Sequence, residues 1–155
     1  MAVFTKVSER QLTEFLRSFF QDFHIIRFEG IAAGIENTNY FLDINSDSQR
    51  TQWVLTLFEM ADAESLSLVV RLTQFLSSRQ LPVPAPVSSL SGRSVQSLAG
   101  KPCVLVPRVA GRHIVLATVA ECRQIGEFLG EMHVTTTALN IKKPTDRHVA
   151  WLQQC

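Results

Sequence analysis

Between Glu29 and Asn39 the sequence runs Glu-Gly-Ile-Ala-Ala-Gly-Ile-Glu-Asn-Thr-Asn, two glycines four residues apart followed by a polar run. Glycine lets backbone N–H groups approach anionic oxygens with no Cβ in the way, so a segment of this kind can fold over phosphates. It is no Walker A loop, because Gly-Lys-Ser/Thr is absent and the residues after it read as a strand instead of a helix. Taken alone, the segment reads as the connection of a hairpin. Little else is placed for chemistry. His24, His113, His133 and His148 are scattered without the HxxxH or HExxH spacing of a zinc site, and no Ser or Cys stands beside one in a nucleophile motif. Cys103, Cys122 and Cys155 form no CxxC pair, which points to reduced thiols and away from a disulfide framework or zinc knuckle. No metal ligand is assigned.

The elements that must hold the glycine segment can be read from periodicity. From Ser8 to about Gln21 the residues Leu12, Phe15, Leu16, Phe19 and Phe20 share one helical face, and Ser8 with Gln11 forms a capping box. Strand character is found over 25–31, 39–44 and 52–58. Tyr40, Leu42 and Ile44 oppose Asn39, Phe41 and Asp43; Trp53, Leu55 and Leu57 oppose Val54, Thr56 and Phe58, so the third strand is apolar on both sides and belongs inside a sheet. The polar stretch 45–51 reads as a loop of hairpin type, slightly long for a tight turn, so the three strands form an antiparallel meander. A helix is expected over about 63–79, and then the prolines at 82, 84 and 86 make a stiff connector. Segments 87–98 and 102–107 read as a second hairpin, with Cys103-Val-Leu-Val106 central. Thr118 with Glu121 makes another capping box, opening a helix to about Thr137 with a seam of Cys122, Ile125, Leu129 and Met132.

A chain of 155 residues, 46% of them hydrophobic, can bury one sizeable core. Its 15 basic against 14 acidic residues leave no excess of either sign for a polyanion, so nucleic acid is not expected as a partner. The N-terminus lacks a basic n-region followed by an apolar h-region, and no apolar run reaches membrane-spanning length. A soluble, unprocessed, cytoplasmic protein is expected, with no membrane partner.

The order of elements matches that of a protein-kinase-like N-lobe: a glycine loop between strands one and two, a buried third strand, a helix, two more strands, an extended linker and a helix. In that arrangement adenine docks on the linker, here Val106-Pro-Arg-Val-Ala-Gly111, and the phosphates lie under the glycine loop. Pro107 has no N–H, so the candidates for adenine are the Val106 carbonyl and the Arg108 or Val109 N–H. The segments Gly30-Ile-Ala-Ala-Gly-Ile-Glu-Asn-Thr-Asn-Tyr-Phe41, Trp53-Val-Leu-Thr-Leu-Phe-Glu59, Leu81-Pro-Val-Pro84, 101–113 and Ile125-Gly-Glu-Phe-Leu-Gly-Glu-Met-His133, in that order and spacing, resemble the homoserine kinases of the aminoglycoside-phosphotransferase superfamily.

The resemblance implies an α+β fold: a protein-kinase-like N-lobe over 1–107 with a five-stranded antiparallel sheet and packed helices, a linker over 108–117, and over 118–155 the first helix of a C-lobe, truncated. It implies ATP as cofactor and a small-molecule alcohol as acceptor, homoserine before choline or an aminoglycoside; a non-catalytic binding or scaffold fragment is the other reading. The nucleotide-binding residues it implies are Gly30, Gly34, Glu36, Asn37, Thr38, Asn39, Thr56, Val106, Arg108 and Val109. Thr56 stands where many kinase-like folds carry a phosphate-binding lysine, so Glu64, the acid of the next helix, has no lysine to pair with. The catalytic loop and the Mg2+ ligands are expected beyond Cys155, and Asp146 is expected to be a solvated loop acid.

Overall fold

The computed structural model describes residues 3–61 and 63–139, without the side chains of Ala63 and Glu64. The expectations for the Glu64 side chain, Asp146 and His148 therefore fall outside the described residues. Residues 1–116 form one compact unit, and a second begins at Ala117.

The first unit is a sheet of five antiparallel strands, β1 (Phe23–Gly30), β2 (Asn37–Ser46), β3 (Gln49–Phe58), β4 (Gln96–Leu98) and β5 (Lys101–Pro107), in the spatial order β1-β2-β3-β5-β4. Helix α1 (Glu9–Leu16) starts at the Ser8–Gln11 capping box read from the sequence, and α2 spans Ala63–Ser78. Because side chains alternate across a strand, the two faces of the sheet have separate duties. Tyr40, Leu42 and Ile44 of β2, Leu55 and Leu57 of β3, and Cys103 and Leu105 of β5 form one buried layer with Leu12, Phe15, Leu16 and Phe19. The opposite face is covered by α2, where Leu66 and Val70 pack on Val104. Burial in the first layer pushes the Cys103 thiol up to about 12.

Three local readings change. The hairpin over 45–51 forms, but its turn is tighter than read: Asp47 and Ser48 both take left-handed backbone, with φ of 52° and 64°, which makes a two-residue hairpin turn and lets Ser46 pair with Gln49. Segment 87–98 is a strand only at Gln96–Leu98. Upstream of it, the Val87 N–H donates to the Leu105 carbonyl, the Ser89 N–H to Arg93, and the Leu90 N–H to Ser18, so its backbone groups are satisfied singly instead of in a ladder. Finally, α1 ends at Leu16, with tight turns from Phe15 and Leu16 carrying Phe19 into the core.

The second unit contains α3 (Val119–Thr136), which opens on the expected Thr118–Glu121 capping box, and a short 3-10 turn over Thr137–Leu139. No residue of α3 is buried; of its seam, Cys122, Ile125 and Leu129 are exposed and Met132 is half-buried.

Candidate functional site

The sheet face turned away from α1 is not fully covered by α2, and the uncovered part is a cavity of about 640 Å³, inside the size range of small-molecule sites. Its floor is Phe41, Val54, Thr56, Val104 and Val106, alternate residues of β2, β3 and β5; α2 gives one wall, Pro84 and Pro86 the edge, and Pro107 to Val109 with His113 the mouth. The proline connector is fixed there by Gln74, whose Nε2 donates to the Pro86 carbonyl at 3.0 Å and to Ser94 Oγ at 2.8 Å.

Hydrogen bonding along β5 decides which linker groups are free. The Arg108 N–H donates to the Gln52 carbonyl at 2.9 Å. In an antiparallel ladder only every second pair exchanges hydrogen bonds, so with Arg108 opposite Gln52, the Val106–Val54 pair of the register is also a bonded one. The Leu105 carbonyl points the other way and takes the Val87 N–H at 2.9 Å. The sequence expectation is corrected here: the Val106 carbonyl and the Arg108 N–H belong to the ladder. What remains is the Pro107 carbonyl, directed away from β3, and the Val109 N–H, which has no partner among the described residues. One acceptor and one donor two residues apart match the amino group and ring nitrogen on one edge of adenine.

The glycine segment joins β1 to β2 as expected, closed by the Ile31 N–H on the Asn39 carbonyl at 2.8 Å. Gly34 is exposed with φ of 125°, a conformation that requires glycine. Glu36 is exposed, and Asn37 begins β2. At the foot of the loop, Thr56 Oγ1 donates to Asn39 Oδ1 at 2.8 Å, and Asn39 Nδ2 reaches the Asn37 carbonyl at 3.4 Å. Thr56 lines the cavity.

Two of the loop residues face elsewhere. Thr38 is fully buried on the α1 side, its hydroxyl accepting the Phe4 and Thr5 N–H groups and donating to Glu59 Oε1 at 2.7 Å. A Cβ on Gly30 would lie 2.6 Å from Val3 Cγ2, so that glycine makes room for Val3 and not for phosphate. Neither contributes a side-chain position to the cavity.

Positive charge at the cavity comes from Arg108, whose guanidinium lies 4.4 Å from the Phe41 ring centre, and His113 stands at the mouth. Arg27 approaches the same ring at 5.6 Å and is paired with Glu29. Deeper in the sheet, the hydrogen bond from Arg50 at 2.6 Å holds the Asp43 carboxyl below its usual range; burial opposes this and Gln52 adds to it. Sequence reasoning missed Phe41, Val54, Val104 and the prolines as cavity walls. Their signal was strand parity, since the three strand residues share a face with Thr56 and Val106.

The sequence profile of the Phosphotransferase enzyme family matches residues 27–153. The chain belongs to that family. Among curated proteins it is similar to a homoserine kinase of Ralstonia pickettii, 38% identical over 152 residues, covering 97% of this chain and 45% of the relative. It is also similar to a homoserine kinase of Polaromonas naphthalenivorans, 37% identical over 151 residues, covering 97% and 46%. The chain thus spans about half the length of the curated relatives it matches. Among solved structures it resembles amicoumacin kinase hAmiN in complex with AMP-PNP, Ca2+ and Ami, with a TM-score of 0.66 and 19% identity over 88% of this chain and 42% of that one. A second is spectinomycin phosphotransferase APH(9)-Ia in complex with ADP and spectinomycin, with a TM-score of 0.63 and 19% identity over 97% and 42%. These likenesses give the phosphotransferase chain its fold, the α+β arrangement expected from the sequence.

Proposed function

We propose that this chain is the nucleotide-binding part of an ATP-dependent small-molecule kinase of the homoserine kinase type, acting in the cytoplasm. The observation that carries the reading is the Pro107 carbonyl and Val109 N–H, without partners among the described residues, at the mouth of an apolar slot whose Thr56 bonds Asn39 at the foot of the glycine loop. Adenine enters the slot over Val54, Val104 and Val106, and its polar edge meets the linker. The phosphates run toward Gly34, Glu36, Asn37 and the Asn39–Thr56 pair. With threonine in place of lysine, Arg108 supplies positive charge. Residues 1–107 are the nucleotide lobe, 108–117 the linker, and 118–155 the start of a helical lobe.

L-homoserine as acceptor is supported by relatives at 34–38% identity that carry that name, against 19% for the two antibiotic kinases. Mg2+ accompanies ATP in such reactions, but among the described residues no cluster of His, Cys, Asp or Glu is placed to hold a metal ion, and no step is derived through it. The sequence contains no His-x-Asp motif. Among the described residues no helix is long and apolar enough to cross a membrane.

The test is calorimetric titration of the chain with ATP and with GTP. Binding of ATP at least about tenfold tighter than GTP is expected, because guanine presents its acceptor and donor in the reverse order to the linker. Equal affinity for both, or none for ATP, overturns the reading. Homoserine-dependent ADP formation by the chain would show that a base exists which this assignment lacks.

A further inference from the structure

Residues 3–7 cross the sheet outside any helix or strand, yet their polar groups are held closely. The N–H groups of Phe4 and Thr5 donate to Thr38 Oγ1 at 2.9 and 3.0 Å, and Thr5 Oγ1 donates to Glu59 Oε2 at 3.0 Å. The Tyr40 hydroxyl accepts the Val7 N–H at 3.2 Å and donates to the Thr5 carbonyl at 2.8 Å. Lys101 Nζ closes the group on Glu59, at 3.0 Å from its carbonyl and 3.2 Å from Oε2. Thr38 Oγ1, accepting two bonds and donating one to Glu59, is at full capacity. Burial raises the proton affinity of Glu59, but its bonds from Thr38, Thr5 and Lys101 outweigh that and hold it ionised below the usual range.

The points of attachment matter more than their number. Val3 packs on Gly30, the last residue of β1, and Phe4 and Thr5 are fixed on Thr38, the second residue of β2. These are the two stems of the glycine loop. The loop itself, 32–36, is exposed, so its position is set by where its stems are held. Thr38 and Tyr40 alternate with Asn37, Asn39 and Phe41 along one strand. A shift that frees Thr38 from the segment therefore moves Asn39 off Thr56.

We propose that Val3–Val7 is a strap that positions the glycine loop for the nucleotide phosphates, with Thr38 and Glu59 as positioning residues that act through the loop stems. This rests on the nucleotide reading above. A strap that only covered the core would affect all ligands alike, through the fraction folded; a positioning strap acts on phosphate-bearing ligands and on the loop-closing bond.

The test compares Thr38→Val, Thr38→Ser and Thr5→Pro. The first keeps volume while removing the hydroxyl, the second restores it, and the third cuts the Thr5 N–H and Oγ1 bonds from outside the sheet. Affinities for ATP and adenosine are measured together with hydrogen exchange at the Ile31 amide, whose bond to Asn39 closes the loop. Thr38→Val and Thr5→Pro are expected to weaken ATP about tenfold, a usual size for coupling between sites, with adenosine changed less than about twofold and Ile31 exchange accelerated; Thr38→Ser stays near the parent. If Thr38→Val fails to fold, Thr5→Pro carries the same comparison. Faster exchange at Phe4, Thr5 and Val7 with the Ile31 amide and the ATP-to-adenosine ratio unchanged overturns the proposal. Should the parent chain bind no ATP, the nucleotide reading fails, and Ile31 exchange in Thr5→Pro alone decides whether the strap holds the loop.

Discussion

Gly34→Val isolates what the glycine loop does, because the structure separates steric from backbone effects at that position. A Cβ there would meet Asn39 Nδ2 at 3.7 Å and the Asn37 carbonyl at 3.8 Å, both ordinary contact distances, so no clash is built. The cost lies in the φ of 125°, which a β-branched residue holds only under strain of about 1 to 3 kcal/mol. In the free protein the exposed loop escapes that strain by relaxing to negative φ, and stability should change by under about 0.5 kcal/mol. Binding of a phosphate-bearing ligand requires the loop to return, and the strain then appears as about five- to 150-fold weaker affinity at 1.4 kcal/mol per decade. Adenosine needs only the slot and the linker, so its affinity should stay within about twofold. Titration calorimetry with adenosine, ADP and ATP, alongside a thermal melt followed by Trp53 fluorescence, reads both halves of the argument. Equal losses for adenosine and ATP, or no loss for either, would refute it and leave the loop as a plain hairpin connection.

Val109→Pro removes an N–H that has no partner among the described residues, so the melt should hardly move while ATP binding weakens about tenfold, the worth of one neutral hydrogen bond to a desolvated acceptor; unchanged binding in calorimetry would place the purine elsewhere. The pH dependence of stability should carry the signature of Asp43, which is buried and held below its ordinary value by Arg50. A depressed carboxylate contributes stability that is fully present above the unfolded value, near pH 4, and is lost as pH falls through the lower folded value. Urea midpoints measured from about pH 6 down to pH 2 should therefore fall on the acid side, and Asp43→Asn should flatten that limb at the expense of a lower plateau; a parallel limb in the variant would exclude Asp43 as its source.

Much of the arrangement was legible because it depends on local chemistry. The capping boxes at Ser8 and Thr118 form as read, since a hydroxyl and a side-chain amide or carboxylate three residues on satisfy each other wherever a helix starts. The central place of β3 followed from apolar residues on both of its faces, which only a sheet covered on both sides tolerates. The hairpin between β2 and β3 was legible, but the tightness of its turn at Asp47–Ser48 was hidden, because the residues around it are polar on both arms and carry no alternation; a pair of left-handed residues without glycine fixed the register instead. Segment 87–95 was misread for the converse reason: Val87 and Val95 pack against the core while the backbone is held by single hydrogen-bonded anchors, with no ladder.

Thr38 shows where parity outranks resemblance. It lies within Glu36-Asn37-Thr38-Asn39, and a contiguous motif invites the inference that all of its residues touch the same ligand. A strand cannot do that, since successive side chains leave on opposite faces. Thr38 shares parity with Tyr40, Leu42 and Ile44, all buried against α1 or the strap, whereas Asn37 and Asn39 share it with Phe41, which floors the cavity. The motif therefore reads as two interleaved sets. One lies on the cavity face of the sheet, and the other fastens the strand that carries the first. The same division on β5 makes Val106 a wall and a ladder residue, and on the proposed reading leaves a purine to the two backbone groups, at Pro107 and Val109, that the ladder does not use.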